Sequence, residues 1–188
     1  MIDWRPIQAT LFALVWDDIE AFAPQHRSEE FYGLFLDCDS NYGEVNLCLN
    51  TPALLRHRAE TYKNDLQSIR GSAVPPDLYA RETVAEIEEK LRWSPGDWGY
   101  RNINRWNEWR KGWNPIRTKI EDARNEDESV CEQFMVMACR VLVQIEESSV
   151  LNHLARTPDF ATMCADHDET DDASRDRLSS ARKAATGG

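Results

Sequence analysis

The sequence has no long apolar segment, and no unbroken apolar run is longer than the six residues from Leu11 to Trp16. A helix that spans a membrane needs about 20 such residues. The chain begins Met1-Ile2-Asp3-Trp4-Arg5-Pro6, with an acid and a proline where a secretory signal has basic residues and an apolar stretch. We therefore expect a cytoplasmic protein that has no membrane partner.

Cysteine pairs are missing as well. The chain contains five cysteines, an odd number, and no two of them form a CxxC pair. This pattern argues against a disulfide framework and against a zinc ribbon. Free cysteines in apolar stretches behave as small hydrophobic residues, so we expect reduced thiols and neither a metal nor another cofactor. The five are Cys38, Cys48, Cys131, Cys139 and Cys164.

Positive charge is scarce, because 22 Lys and Arg residues stand against 33 Asp and Glu residues, for a formal net charge of −11. Nucleic acid and anionic membranes bind positive surfaces, so this balance argues against both as partners. An acidic surface suits a basic protein partner, whose approach it accelerates.

The common catalytic motifs are also absent: the sequence has no GxSxG elbow, no P-loop, no GxGxxG turn and no HExxH pair. The four histidines are scattered along the chain. These absences favour a non-catalytic protein, and the question of an enzyme with an unrecognised carboxylate or metal site stays open.

What is present is a chain of 188 residues, a length typical of one domain. Apolar residues recur at helical spacing between about Ile7 and Ala23, through Leu11, Val15 and Ile19. This spacing predicts a first helix. The short apolar run Thr10–Trp16 leaves a strand as the alternative.

Two alternating runs follow, Phe31–Asp39 and Glu44–Asn50, on either side of a loop that contains Gly43. Such runs around a glycine-containing loop predict a β-hairpin. Both faces of the first run are apolar, which is typical of a central strand covered on both sides.

The separation of Cys38 and Cys48 depends on the register of the hairpin. If Cys38 pairs with Glu44, then Cys48 falls opposite Leu34. The two thiols would then lie about four residues apart along the sheet, roughly 13 Å, which is too far for a disulfide.

Later helix starts are marked by capping residues. Thr51-Pro52 supplies an N-cap and a proline at the first helical position, and Pro75-Pro76-Asp77 opens a second helix. Ser129 and Glu132 form a capping box ahead of the best-patterned helix. A short third strand is predicted from Phe160 to Asp166, whereas residues 98–115 give no assignable pattern.

These elements predict an α+β fold, with a small, mostly antiparallel sheet that contains a central β-hairpin and is packed by several helices. Residues 1–172 are expected to form this single domain. The polar residues 173–188 are expected to be a frayed C-terminal segment.

Residues 92–119 are the most unusual segment, because they contain five of the seven tryptophans. They carry seven Lys and Arg residues and two acids, a local charge of 7 − 2 = +5 in a chain of −11. Trp and Arg are enriched at binding hot spots, and they can also stack on single-stranded nucleic acid. The alternative is that the rings anchor loops on the core and the arginines pair with the surplus acids. The residues predicted to bind a protein partner are Trp98, Arg101, Arg105, Trp106, Trp109, Arg110 and Trp113.

An acidic cluster follows the third predicted strand. Carboxylates next to one histidine can hold Mg²⁺ or Mn²⁺, although acids beyond a strand are more often a solvated loop. The spacing does not match a calcium loop. The cluster consists of Asp166, His167, Asp168, Glu169, Asp171 and Asp172.

The order of several motifs resembles a bacterial domain-of-unknown-function family, four-three-zero-three in the usual numbering. The resemblance covers roughly Ala9 to Asp172, and the family has no catalytic residues to carry over. It implies a small cytoplasmic protein similar to those found beside polymorphic toxins, where small acidic domains act as immunity proteins. The motifs are Phe31-Tyr32-Gly33-Leu34-Phe35-Leu36-Asp37, Leu49-Asn50-Thr51, Arg92-Trp93-Ser94-Pro95-Gly96-Asp97-Trp98-Gly99-Tyr100 and Asp166-His167-Asp168.

Charge, the Arg/Trp segment and this resemblance together predict a non-catalytic protein-interaction domain. We expect an immunity-like or antitoxin-like protein that binds a basic partner. The alternative is a small enzyme, for which the acidic cluster is the candidate site.

Overall fold

The computed structural model describes residues 2–68, 82–167 and 169–187. The first helix, α1 (Trp4–Phe22), begins where the Asp3 side chain accepts a hydrogen bond from the Arg5 backbone N–H. The predicted apolar face is buried, including Leu11 and Val15. The helix prediction is therefore confirmed over the strand alternative.

The sheet has three strands in the order β2-β1-β3, with β1 at Phe31–Asp39, β2 at Glu44–Asn50 and β3 at Arg156–Asp166. The predicted hairpin and its central strand are confirmed. However, β3 runs parallel to β1, so the sheet is mixed and not mostly antiparallel. The cause is a crossover: the chain leaves β2 at one edge, passes through helices, and returns at the opposite edge.

The predicted hairpin register was wrong by one residue. Cys38 pairs with Val45, and Glu44 pairs with Asp39, so Cys48 lies opposite Phe35. The first strand keeps Asp39 in the ladder because Gly43, with a φ of 61°, closes a loop of four residues. All five cysteines are free, as expected.

The remaining helices connect β2 to β3 and follow β3. Short 3₁₀ turns lie at residues 23–25, 95–97 and 150–153. The helices are α2 (Pro52–Ser68), α3 (Val84–Leu91), α4 (Trp106–Gly112), α5 (Asn114–Glu126), α6 (Ser129–Glu147) and α7 (Asp171–Thr186).

The starts of α3 and α6 bear on two of the helix predictions. A capping box of Thr83 and Glu86 starts α3, while the predicted start at Pro75-Pro76-Asp77 lies outside the described residues. Helix α6 has no Ser129–Glu132 capping box, because Ser129 is already the first helical residue and donates its backbone N–H to the Asp127 carboxylate at 2.9 Å. The buried side chains of α6 include Val130, Phe134 and Met137.

The C-terminal segment is a packed helix, not the predicted frayed tail. Helix α7 lies against α6 and β3 and buries Ser174 and Leu178. The segment was expected to fray because it is polar. Its polar side chains, however, have partners elsewhere in the fold. Arg177 pairs with Glu169 at 2.6 Å, and Arg182 pairs with Glu146 at 2.6 Å.

Apolar side chains cover both faces of the sheet. The larger cluster joins one face to α1 and α6 and includes Leu34 and Leu47. The smaller cluster joins the other face to α2 and α3 and includes Phe35 and Trp98. Among the described residues, no helix is both long enough and apolar enough to cross a membrane.

Candidate functional site

The Arg/Trp segment (residues 92–119) divides into two halves that lie on opposite faces of the sheet. Trp93 and Trp98 belong to the smaller cluster, beside α2 and α3. Trp109 and Trp113 belong to the larger cluster, beside α1. The chain passes from one face to the other along the outer edge of β2. The segment is therefore not one continuous patch.

Trp98 anchors the first half, and its side chain is almost fully buried. Its ring makes edge-on contacts with Tyr32 and Phe35, and its Nε1–H donates to the Arg92 carbonyl at 3.0 Å. The ring passes so close to β1 that a Cβ at Gly33 would lie 2.8 Å from it. Glycine at this position thus makes room for the ring.

A neutral hydrogen-bond network fixes the backbone around Trp98. Asn50 is fully buried; its Nδ2 donates to the Tyr32 hydroxyl at 2.9 Å, and its Oδ1 accepts from the Gly99 N–H at 3.2 Å. The Tyr32 hydroxyl in turn donates to the Arg92 carbonyl at 2.9 Å. Burial raises the pKa of Tyr32 to about 12, so the hydroxyl stays neutral at physiological pH.

Residues 99–104 then run along the free edge of β2; we call them the edge strap. Leu49 and Tyr100 exchange backbone hydrogen bonds of 2.9 and 3.2 Å, and the Ile103 N–H donates to the Leu47 carbonyl at 2.9 Å. The Asn104 side chain accepts from the Leu47 N–H at 2.8 Å. The strap thereby covers backbone groups that an open strand edge would leave unpaired.

Asp18 of α1 anchors the second half. Its buried carboxylate accepts hydrogen bonds from the Trp109 Nε1–H and, at 3.1 Å, from the backbone N–H of Arg105. The Arg105 Nε also donates to it at 3.1 Å. Burial raises the pKa of Asp18, while these donors oppose the rise. The neighbouring Trp113 is buried too and donates to the Gly43 carbonyl at 2.9 Å.

Three of the seven residues predicted to bind a partner are core anchors, namely Trp98, Trp109 and Trp113. Arg105 is engaged by Asp18. Arg101 and Arg110 are exposed, and the side chain of Trp106 lies outside the described set. Partner binding through this segment stays a prediction that rests on the two exposed arginines. The sequence hid the arrangement because Asp18 is 87 residues away from Arg105.

The acidic cluster after β3 makes structural contacts. The Asp166 carboxylate accepts from the Ser40 N–H at 3.3 Å, and the His167 N–H donates to the Cys38 carbonyl at 2.7 Å. Glu169 pairs with Arg177. Asp168 lies outside the described residues. Within the described part of the chain, no three His, Cys, Asp or Glu side chains are grouped to hold a metal ion.

Asp37 is a half-buried carboxyl that sequence reasoning did not single out. It lies near the carboxyl end of β1, where β3 runs alongside and His167 follows. Burial raises the pKa of Asp37, while the positive charge of His167 and a hydrogen bond from Asn46 lower it. The carboxylates of Asp39 and Asp166 raise it further. Only the fold reveals this proximity, because β3 lies far along the chain.

A second feature missed by sequence reasoning is an acidic corner where α5 meets α6. Residues 121–128 contain five acids and one arginine, a local charge of −4. Four of the five acids are exposed, and none forms an ion pair with another described residue. The exposed acids of the corner are Asp122, Glu126, Asp127 and Glu128.

A family model described as a domain of unknown function (DUF4303) matches residues 16–180. The chain belongs to this family. The match begins within α1 and extends into α7, so the DUF4303 region includes most of the C-terminal helix. No curated protein and no solved structure matches the chain.

In this DUF4303 chain, three of the four motifs that carried the resemblance meet in space. The first motif contributes Tyr32 and Gly33, the second contributes Asn50, and the third contributes Trp98 and Gly99. Together they form the hydrogen-bonded cluster around the Trp98 ring. These three motifs therefore position a loop against the sheet.

Proposed function

We propose that this DUF4303 protein is a non-catalytic protein-binding domain that recognises a basic protein, in the manner of an immunity protein that neutralises a toxin. The observation that carries the proposal is the acidic corner at residues 121–128. Its exposed carboxylates have no cationic partner among the described residues, so the corner presents concentrated negative charge to solvent.

The distribution of the arginines supports this proposal. Three of the five arginines of the Arg/Trp segment form ion pairs within the fold, since Arg92 pairs with Asp159 and Arg105 with Asp18. Arg117 likewise pairs with Glu44 at 2.5 Å. These cations are thus not available to offset the corner. A basic partner reduces the repulsion among these carboxylates. Complementary charge also speeds the approach of that partner.

The test compares capture of partners from a lysate of the native host at about 0.15 M salt, where charges are screened beyond about 8 Å. The bait is the wild-type chain, a corner variant with Asp122→Asn, Glu126→Gln and Glu128→Gln, or a control variant. The control carries Glu60→Gln, Glu88→Gln and Glu89→Gln, which change the net charge equally on α2 and α3.

The proposal expects a stoichiometric basic protein that the wild type and the control retain and the corner variant loses. Asp127 is left unchanged because it accepts the Ser129 N–H at the start of α6. A partner retained equally by all three baits, or none at all, would contradict the proposal.

One observation favours the alternative, a small enzyme. Asp37 is a half-buried carboxyl with a raised pKa beside His167, and such settings suit proton transfer. The test is a screen of hydrolase and lyase substrates with the wild type, Asp37→Asn and the control Asp172→Asn. An activity that only Asp37→Asn abolishes supports the enzyme, and an empty screen argues against it.

A further inference from the structure

A groove lies between α2 and the turn of residues 94–101. Its volume is about 330 Å³, enough for a small polyatomic ion or the end of a side chain. Trp98 and Gly99 contribute to its floor, where a Cβ at Gly99 would lie 2.4 Å from Leu54. Gly99 and Leu54 are therefore closely packed against each other at this point of the groove.

Two arginines, Arg58 and Arg101, line this groove. Asp97 is the carboxylate among its lining residues, which also include His57. By comparison, the groove between α6 and α7 balances Glu132 and Asp176 with two arginines. A net positive groove in a chain of −11 is the exception to the charge distribution around it.

Both guanidinium groups are held in place. Arg58 donates Nε and Nη2 to the Asp97 carboxylate at 2.9 and 2.8 Å, and Asp97 is itself held by the Ser94 hydroxyl at 3.0 Å. Arg101 donates Nη1 to the Gly96 carbonyl at 2.8 Å. These bonds fix each arginine at one side of its guanidinium group and leave other N–H donors without a partner in the described structure.

We propose that this groove binds an anionic group, a phosphate or a carboxylate, between Arg58 and Arg101. Arginine fork geometry suits bidentate binding of such oxygens. Because both side chains are already ordered, an anion binds without the usual loss of side-chain entropy. Arg101 has no carboxylate partner among the described residues, so the anion also supplies it with a counter-charge. This inference is independent of the proposed function, which concerns an acidic surface elsewhere.

The experiment measures binding of inorganic phosphate and of pyrophosphate to the full chain, by calorimetry and by the shift of the Trp98 indole N–H signal in NMR. The variants are Arg101→Gln and the control Arg140→Gln, which removes the same charge from the exposed face of α6. We expect saturable binding by the wild type, about a tenfold loss of affinity in Arg101→Gln, and little change in Arg140→Gln.

Equal affinities of the two variants, or no saturable binding by the wild type, would overturn the proposal. The fold of Arg101→Gln is checked by its thermal midpoint, and His57→Gln gives a second, milder variant on α2.

A second pair of ligands identifies the source of the anion. A short phosphoserine peptide that binds more tightly than phosphate, and loses affinity in Arg101→Gln, indicates a group carried by a protein. Pyrophosphate that binds while the peptide does not indicates a free small molecule. Either result supports the anion site and leaves the test of the acidic corner separate.

Discussion

The two halves of the Arg/Trp segment perform the same task on opposite faces of the sheet by different chemistry. The first half is fixed by a neutral network around Asn50, in which every buried group is an amide, a hydroxyl or a backbone group. The second half is fixed by a buried charge, the Asp18 carboxylate, with one arginine beside it. The comparison teaches that a tryptophan can be anchored with or without a charge, and only the charged anchor makes stability depend on pH.

The largest expected effect comes from removing the charged anchor. Asp18→Ala leaves the Trp109 indole N–H and the Arg105 N–H without an acceptor, and it leaves Arg105 short of a counter-ion. We expect a loss of about 3 to 5 kcal/mol in the free energy of unfolding, measured with urea. The control is Asp17→Ala, whose exposed carboxylate lies 3.4 Å from Arg105 and should cost less than about 1 kcal/mol. Similar losses in both variants would show that Asp18 is no anchor.

The neutral anchor should yield a smaller loss. Asn50→Ala removes the acceptor of the Gly99 N–H and the donor to Tyr32, inside a fully buried site. The expected cost is about 2 to 3 kcal/mol, since buried groups lose their partners. Unlike that of Asp18→Ala, this cost should be the same at pH 5 and pH 8. A cost that changes with pH would contradict the neutral character of the network.

The pH dependence of the charged anchor has a definite sign. The pKa of Asp18 is raised in the folded state above its ordinary 3.8, so the folded state binds the proton more tightly than the unfolded state. The associated stability is complete below the unfolded pKa and is lost as pH rises through the folded pKa. Asp18→Asn removes this titration. The difference in stability between wild type and Asp18→Asn should therefore shift against the wild type as pH rises above about 4, and a flat difference would contradict the assignment.

The edge strap between the two halves should respond more weakly. Asn104→Ala removes a hydrogen bond of 2.8 Å from the Leu47 N–H and one of 3.2 Å to the Val45 carbonyl. The Leu47 N–H and the Val45 carbonyl can instead form hydrogen bonds with water at the sheet edge. We therefore expect a loss of about 1 kcal/mol in the free energy of unfolding. Hydrogen exchange should show a faster amide at Leu47 and an unchanged amide at Phe35 in the central strand. Unchanged exchange at both positions would mean that the Asn104 side chain does not hold the edge.

The smallest effect is expected at Arg110, an exposed residue of α4. Arg110→Gln should change the free energy of unfolding by less than about 0.5 kcal/mol, as is usual for surface sites. If a partner binds through this segment, Arg110→Gln should weaken that binding while the variant stays as stable as the wild type. A clear loss of stability would instead indicate a structural role.

The parts of the fold that depend on residues close together in the chain could be predicted from the sequence. Helix α1 and the hairpin follow from spacing and alternation, which local packing preserves. The direction of β3 could not be predicted, because it depends on a crossover through the helices rather than on its own residues. Helix α7 was missed since its arginines look solvated until Glu169 and Glu146 are brought beside them.

The candidate sites were less predictable for the same reason. The Arg/Trp segment looks like one surface patch in sequence, and only the position of β2 divides it between two faces. Asp37 and His167 are 130 residues apart, and no motif joins them. The acidic corner, by contrast, is visible in the sequence as a run of acids. Only the solvent exposure of these side chains could not be predicted.

The parallel partner of β1 also has a consequence in time. Asp39 at the end of β1 and Arg156 at the start of β3 are separated by 156 − 39 = 117 residues. At 5 to 20 residues per second, a ribosome needs about 6 to 23 s to make that stretch. During this interval β1 lacks the strand that later covers one of its sides. The growing chain must keep that side from pairing with another molecule until its own last strand arrives.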